Sequence, residues 1–129
     1  MMHRSVIMAF MILFVTACSD YTEELPGGYY FASEAKDNQV IVHQGWRAGD
    51  PYISCNVEAY DADNRYIVAM QRVSMSCFWG EDNSLSAFAG QKLFWIIDSK
   101  KHQFYGPYSE QREFESKRLE YGISVSLEQ

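Results

Sequence analysis

The chain has 129 residues, with 17 acidic against 11 basic side chains and a formal net charge of −6 with histidine neutral. That length suits one domain and not comfortably two, and the acidity argues against nucleic acid and against charge-driven docking on anionic headgroups. Aromatic residues make up 16% of the chain, enough for a packed core, and internal repeats and low-complexity segments are absent.

Met1 to Ser5 carry Arg4 and no acid, and Val6 to Val15 is a ten-residue apolar run. A bilayer-spanning helix needs about 20 such residues, so this run reads as the apolar centre of a signal peptide. Val15-Thr16-Ala17-Cys18 closes it. The stretch resembles the bacterial lipobox, which implies cleavage between Ala17 and Cys18 and a diacylglyceryl group on the Cys18 thiol. The other reading is an ordinary secretory signal cut near Ala17, with Cys18 an incidental thiol. Two or three acyl chains would hold the protein stably, where one would be marginal. In the Gram-negative lipoproteins that this segment resembles, Asp after the cysteine marks inner-membrane retention, so the resemblance implies that Ser19 favours the outer membrane, facing the periplasm, and that Asp20 weakens that preference. Removing residues 1–17 leaves 112 residues and, because only Arg4 is lost, a charge one unit more negative.

With Cys18 assigned to lipid, Cys55 and Cys77 are an even pair in an exported chain, and a Cys55–Cys77 disulfide is expected. Two buried, reduced thiols are the alternative. Such a bridge would stabilise the fold by about 3 kcal/mol.

Residues 18–26 form a polar, acidic tether ending in Pro26, and a single domain spans 27–129. Gly27-Gly28 turns the chain into the β-favouring Tyr29-Tyr30-Phe31. Ala35 to Asn38 has turn chemistry, and Gln39 to Gln44 completes a first hairpin. Gly45 to Pro51 is loop. Ile53, Cys55, Val57 and Ala59 alternate with Ser54, Asn56, Glu58 and Tyr60, so one face is apolar. Asp61 to Arg65 makes a turn and Tyr66 to Val73 returns, with Tyr60 opposite Tyr66, Val57 opposite Ala69 and Cys55 opposite Gln71. In that register the disulfide requires the chain to fold back after Arg72.

Ser74 to Gly90 is a long, weakly periodic loop, and loops of this size are functional, mobile or conceal a short element. Leu93 to Asp98 and Gln103 to Tyr105 form a third hairpin, broken by Gly106-Pro107. Ser109 caps a helix with Glu110 and Glu113 in its first turn and Lys117 and Arg118 in its last. Phe114 and Tyr121 share a face, with the Arg118 stem between them, and Gly122 closes the helix as its C′ residue. Ile123, Val125 and Leu127 alternate with serines as a last short strand. The class is α+β: a small antiparallel sheet of about five to seven strands, packed by one C-terminal helix.

Glu24-Leu25-Pro26-Gly27-Gly28-Tyr29-Tyr30, Tyr66 to Ala69 with Gln71, and Trp95-Ile96-Ile97-Asp98 with Gly106-Pro107 follow the lipobox. Together they resemble a family of short, uncharacterised bacterial lipoproteins. The resemblance implies one compact domain and carries over no catalytic residue.

Motifs for chemistry are weak. Asp61-Ala62-Asp63-Asn64 faintly suggests a calcium loop, but Arg65 and Tyr66 stand where an oxygen ligand and a glycine are required. His43 and His102 have no partner at ligand spacing, so no metal and no cofactor is expected. No G-x-S-x-G occurs, and Cys77 is better used in a disulfide. Glu81 and Asp82 read as a solvated loop tip rather than a glycosidase pair. Trp46, Tyr52, Phe78 and Trp79 lie in or beside loops, where rings either make a partner contact or plug the ends of a small sheet. The expected function is a non-catalytic periplasmic binding or accessory module, tethered to the membrane through Cys18, whose partner is an envelope component or protein and not nucleic acid. The alternatives are an immunity or inhibitor lipoprotein that neutralises a toxin or cell-wall hydrolase, and a small hydrolase.

Overall fold

A computed structural model of the chain describes residues 21–34, 38–77 and 85–127. The expected signal segment, Cys18, the turn residues Ala35 to Asp37, and the loop residues Phe78, Trp79, Glu81 and Asp82 lie outside the described residues. The strands are β1 (Tyr21–Glu24), β2 (Tyr29–Ser33), β3 (Gln39–His43), β4 (Val57–Ala62), β5 (Tyr66–Arg72), β6 (Lys92–Asp98) and β7 (Gln103–Tyr108), followed by α1 (Gln111–Glu120). The class is α+β. The strands make two antiparallel sheets where one was expected, in the orders β1-β2-β3 and β4-β5-β6-β7.

The four-stranded sheet is the middle layer. One face packs on the three-stranded sheet through Tyr29, Phe31, Ile41, Ile53, Ile67 and Ile97. The other packs under α1 and the C-terminal segment through Val68, Met70, Phe94, Ile96 and Phe114. A strand covered on both sides must be apolar at successive positions, which explains the unbroken burial of Ile67 to Gln71. Gln71, fully buried, keeps its amide satisfied: Nε2 donates to the Ser54 carbonyl at 2.9 Å, and Oε1 accepts the Trp95 indole N–H.

Tyr21–Glu24, part of the expected tether, is an edge strand on β2, with Tyr21 opposite Ser33 and Glu24 opposite Tyr30. Its polar side chains are all exposed, as an edge permits, while the Tyr21 ring lies 5.8 Å from that of Phe31. Only Ser19 and Asp20 then separate Cys18 from the first strand.

The β4–β5 register differs from the expected one, with Tyr60 opposite Ala69 and Val57 opposite Gln71. The turn is tighter than the sequence suggested, because the Asp63 carboxylate accepts from the N–H groups of Arg65 and Tyr66 and pulls the strands together early. A bulge between Val57 and Ala59 then changes which residues share a face. Val57 and Tyr60 face the three-stranded sheet, and Ala59 faces the helix side.

Cys55 and Cys77 are joined by a disulfide, Cα to Cα 5.7 Å. The chain folds back after Arg72 as that bridge requires, through a short 3₁₀ turn at Met75–Cys77. Gly106-Pro107 does not end the third hairpin; β7 runs through it to Tyr108 across an irregularity opposite Phe94 to Ile96.

α1 begins at Gln111, with Glu110 and not Ser109 at its N-cap. It ends in a Schellman motif, in which Ile123 N–H reaches the Arg118 carbonyl and Gly122 N–H that of Leu119. The expected last strand, residues 123–127, pairs with no strand among the described residues. Arg118 Nη1 takes the carbonyls of Ile123 (2.8 Å) and Val125 (3.2 Å), and Ile123 and Leu127 bury against the helix-side core. Their alternation reports packing, not strand pairing. Among the described residues no helix is long and apolar enough to cross a membrane.

Candidate functional site

Two loops that carry residues of interest leave the sheets at opposite ends. At the near end, where the described chain starts, one row of partners runs across both sheets. Tyr21 faces Ser33 and Ser33 faces Gln39. Gln39 N–H donates to Asn56 Oδ1 at 3.1 Å, Asn56 exchanges two backbone bonds with Arg72, and Arg72 faces Lys92. The excursion that carries Cys77 departs and returns here, its ends tied by the Val73–Gln91 and Gly90–Val73 backbone bonds.

The far end gathers the turns of both sheets. Tyr29 faces His43, and Tyr66 faces Asp98. Two of the stretches that carry the family resemblance come together here, the Gly27-Gly28 turn lying on Ser99, the residue after Asp98, and on His43. A side chain on Gly27 would stand 2.7 Å from the Ser99 carbonyl oxygen, and one on Gly28 would stand 2.9 Å from His43 Nε2. Both glycines hold positive φ angles, 72° and 85°, so glycine serves the turn twice over.

His43 and His102, remote in sequence, have ring centroids 5.0 Å apart. His43 spends both ring nitrogens on the backbone, Nε2 donating to the Gly27 carbonyl at 3.1 Å and Nδ1 accepting from Gly45 N–H at 3.1 Å. The buried Tyr29 ring packs against both histidines, and its hydroxyl lies 3.3 Å from His102 Nδ1. Burial pushes the Tyr29 phenol above its ordinary range, with the charges of Asp50 and Asp98 adding to the effect. The cluster therefore reads as a supporting floor. Its signal in the sequence, two isolated histidines and one tyrosine of an aromatic run, shows no spacing that links them. No group of three or more His, Cys, Asp or Glu side chains among the described residues is arranged to hold a metal ion.

Above this floor sits the 44–52 loop. Trp46 N–H donates to the His43 carbonyl and Asp50 N–H to that of Arg47, both at 2.9 Å. Asp50 Oδ2 accepts Arg47 N–H at 2.9 Å, and the Trp46 indole N–H donates to the Asp50 carbonyl at 2.8 Å. These bonds hold Trp46 edge-on to Tyr52, centroids 5.7 Å apart, while the two residues remain 40% and 38% exposed. Of the four expected contact aromatics, the structure brings these two together; Phe78 and Trp79 lie outside the described residues.

Beside β1, Glu23, Glu24, Asp61 and Asp63 line an open groove of about 400 Å³. The Tyr60 hydroxyl on its wall donates to Glu23, and burial together with that carboxylate raises the phenol well above its ordinary range.

No curated protein matches the chain, and no solved structure does. The family described as Protein of unknown function (DUF3997) matches residues 26–129, from the proline before the paired glycines through the helix and the C-terminal segment. The chain belongs to this uncharacterised domain family.

Proposed function

We propose that the chain is a non-catalytic binding module of the bacterial envelope, lipid-anchored through Cys18, that takes its partner on the Trp46–Tyr52 surface. The outer membrane, facing the periplasm, is the favoured site. The observation that carries the reading is the exposed aromatic pair on a loop braced by its own hydrogen bonds. Large rings held in place before binding lose little conformational freedom on contact, which is why such residues dominate the energetics of interfaces. A residue needed only to plug a sheet end would be covered, and the bracing bonds would have no evident purpose.

The test is reversible cross-linking on intact membranes, followed by purification and mass spectrometry, for the wild-type protein and for Trp46→Ala with Tyr52→Ala. A defined partner lost from the double variant, with the melting temperature unchanged, supports the proposal. An unchanged set of cross-linked partners removes it, and a collapsed melting temperature assigns the pair to the core.

A further inference from the structure

The distance between the anchor and the first strand constrains how the domain stands on its membrane. This rests on the lipidation reading of Cys18. Ser19 and Asp20 are the only residues between Cys18 and Tyr21, so the two Cα atoms are at most about 10 Å apart. Tyr21 belongs to the near end of the sheets, on the row that runs through Ser33, Gln39, Asn56 and Arg72 to Lys92. The loop that carries Trp46 and Tyr52 leaves β3 after His43 at the far end and rejoins the sheet at Ile53, opposite Ile41. β5 spans the distance between the ends in seven residues, which corresponds to about 20 Å.

So short a connection leaves two arrangements. The domain can lie on its β1 edge or stand on its near end. Lying on the edge presses Glu23 and Glu24 toward the headgroups, with Asp61 and Asp63 of the same groove beside them. Anionic lipid repels that surface. Among the described residues the near end is closer to balance: Arg72, which pairs with Glu58 at 3.2 Å, Lys92 and Arg112 stand with Glu34, Glu58 and Glu110, whereas the groove beside β1 is lined by four acids and no base. The near end also presents Met75, 55% exposed just before the disulfide. A large apolar side chain so placed suits the boundary between headgroups and acyl chains.

We infer that the domain stands end-on on the bilayer that holds its anchor, with Met75, Arg72 and Lys92 toward the headgroups and Trp46 and Tyr52 held away from them. The partner surface is then open to the aqueous space and closed to lipid. The ligand it takes is a component reaching toward this membrane, not part of the anchoring leaflet.

The experiment uses the full lipidated protein in vesicles of phosphatidylethanolamine and phosphatidylglycerol, with photoreactive benzoylphenylalanine at Met75 or, in a separate preparation, at Arg47. Mass spectrometry of the N-terminal peptide in the same preparations reports the acyl chains on Cys18. Phospholipid adducts are expected from position 75 and none above background from position 47. Acylated protein with equal adducts at both positions, or with more at 47, overturns the end-on arrangement and leaves the anchor standing. Protein without acyl chains removes the anchor and the arrangement together.

Discussion

Arg65 grips Asp98 with two hydrogen bonds, Nε to Oδ1 at 3.0 Å and Nη2 to Oδ2 at 2.8 Å. Asp98 is 2% exposed and also accepts the N–H groups of Lys100 and Lys101, so one carboxylate ties the β4–β5 turn to the β6–β7 turn. Ser99 Oγ donates to the Arg65 carbonyl and closes the same junction. Asp98→Asn removes charge-assisted bonds from a buried site and is expected to cost about 2 kcal/mol, measured as a shift in the urea midpoint.

The same contact has a pH signature. The bonds from Arg65 hold the Asp98 carboxyl below the usual carboxylate range, against the opposing effect of burial, and the Lys101 N–H adds to the depression. Its stabilisation is complete above about pH 4, where the carboxyl of the unfolded chain is ionised, and is lost as pH falls through the lower native value. Stability measured between about pH 5 and 2 should therefore decline more steeply for the wild type than for Asp98→Asn. Parallel profiles would show that Asp98 does not carry the acid sensitivity.

Gly27 and Gly49 separate two costs that a single glycine confounds. Both have positive φ, but a side chain at Gly27 meets Ser99 at 2.7 Å, while one at Gly49 meets nothing within 4 Å. Gly49→Ala should cost only the left-handed conformation, about 1 kcal/mol. Gly27→Ala adds the collision with backbone and should cost about 2–4 kcal/mol in the same denaturation series. Equal losses would mean that the Gly27–Ser99 contact yields easily.

The Cys55–Cys77 bridge closes a separation of 22 residues at the near end. Replacing both cysteines with alanine should lower stability by about 3 kcal/mol, a fall of roughly 10–20 °C in melting temperature. Matched melts of wild type with and without reductant should reproduce that gap. A double variant as stable as the oxidised protein would show that the loop is held by other contacts.

Much of the strand order was legible because each strand brings its own pattern. Gln39 to His43 carries three β-branched residues in its middle, Leu93 to Ile97 is apolar throughout, and the glycines and prolines between strands mark turns. Registers were less accessible. Tyr60 opposite Ala69 depends on where Asp63 caps its turn and on the bulge beyond Val57, and neither leaves a mark in hydrophobic alternation. Ile123 to Leu127 alternates as a strand would, yet the Arg118 guanidinium holds the carbonyls of Ile123 and Val125, and among the described residues no strand pairs with it. The candidate site was half visible: Trp46 and Tyr52 stand out as loop aromatics, but nothing in the spacing of Tyr29, His43 and His102 shows that they pack together beneath that loop.

By itself the sequence determined the α+β class and the helix with its glycine end, and it pointed to the Cys55–Cys77 pairing. Each of these rests on local chemistry or on a count of residue types. Only the tertiary structure decided that seven strands divide into two sheets, that Tyr21 to Glu24 joins one of them, and that the aromatic pair and the disulfide excursion occupy opposite ends. The reason is that packing one sheet on another joins residues far apart in the chain, such as Gly27 with Ser99 and Tyr29 with His102, through contacts that no local pattern encodes. With β1 folded into the sheet, the stretch between Cys18 and the first strand shrinks to two residues, so the proposed anchor would constrain orientation as well as location.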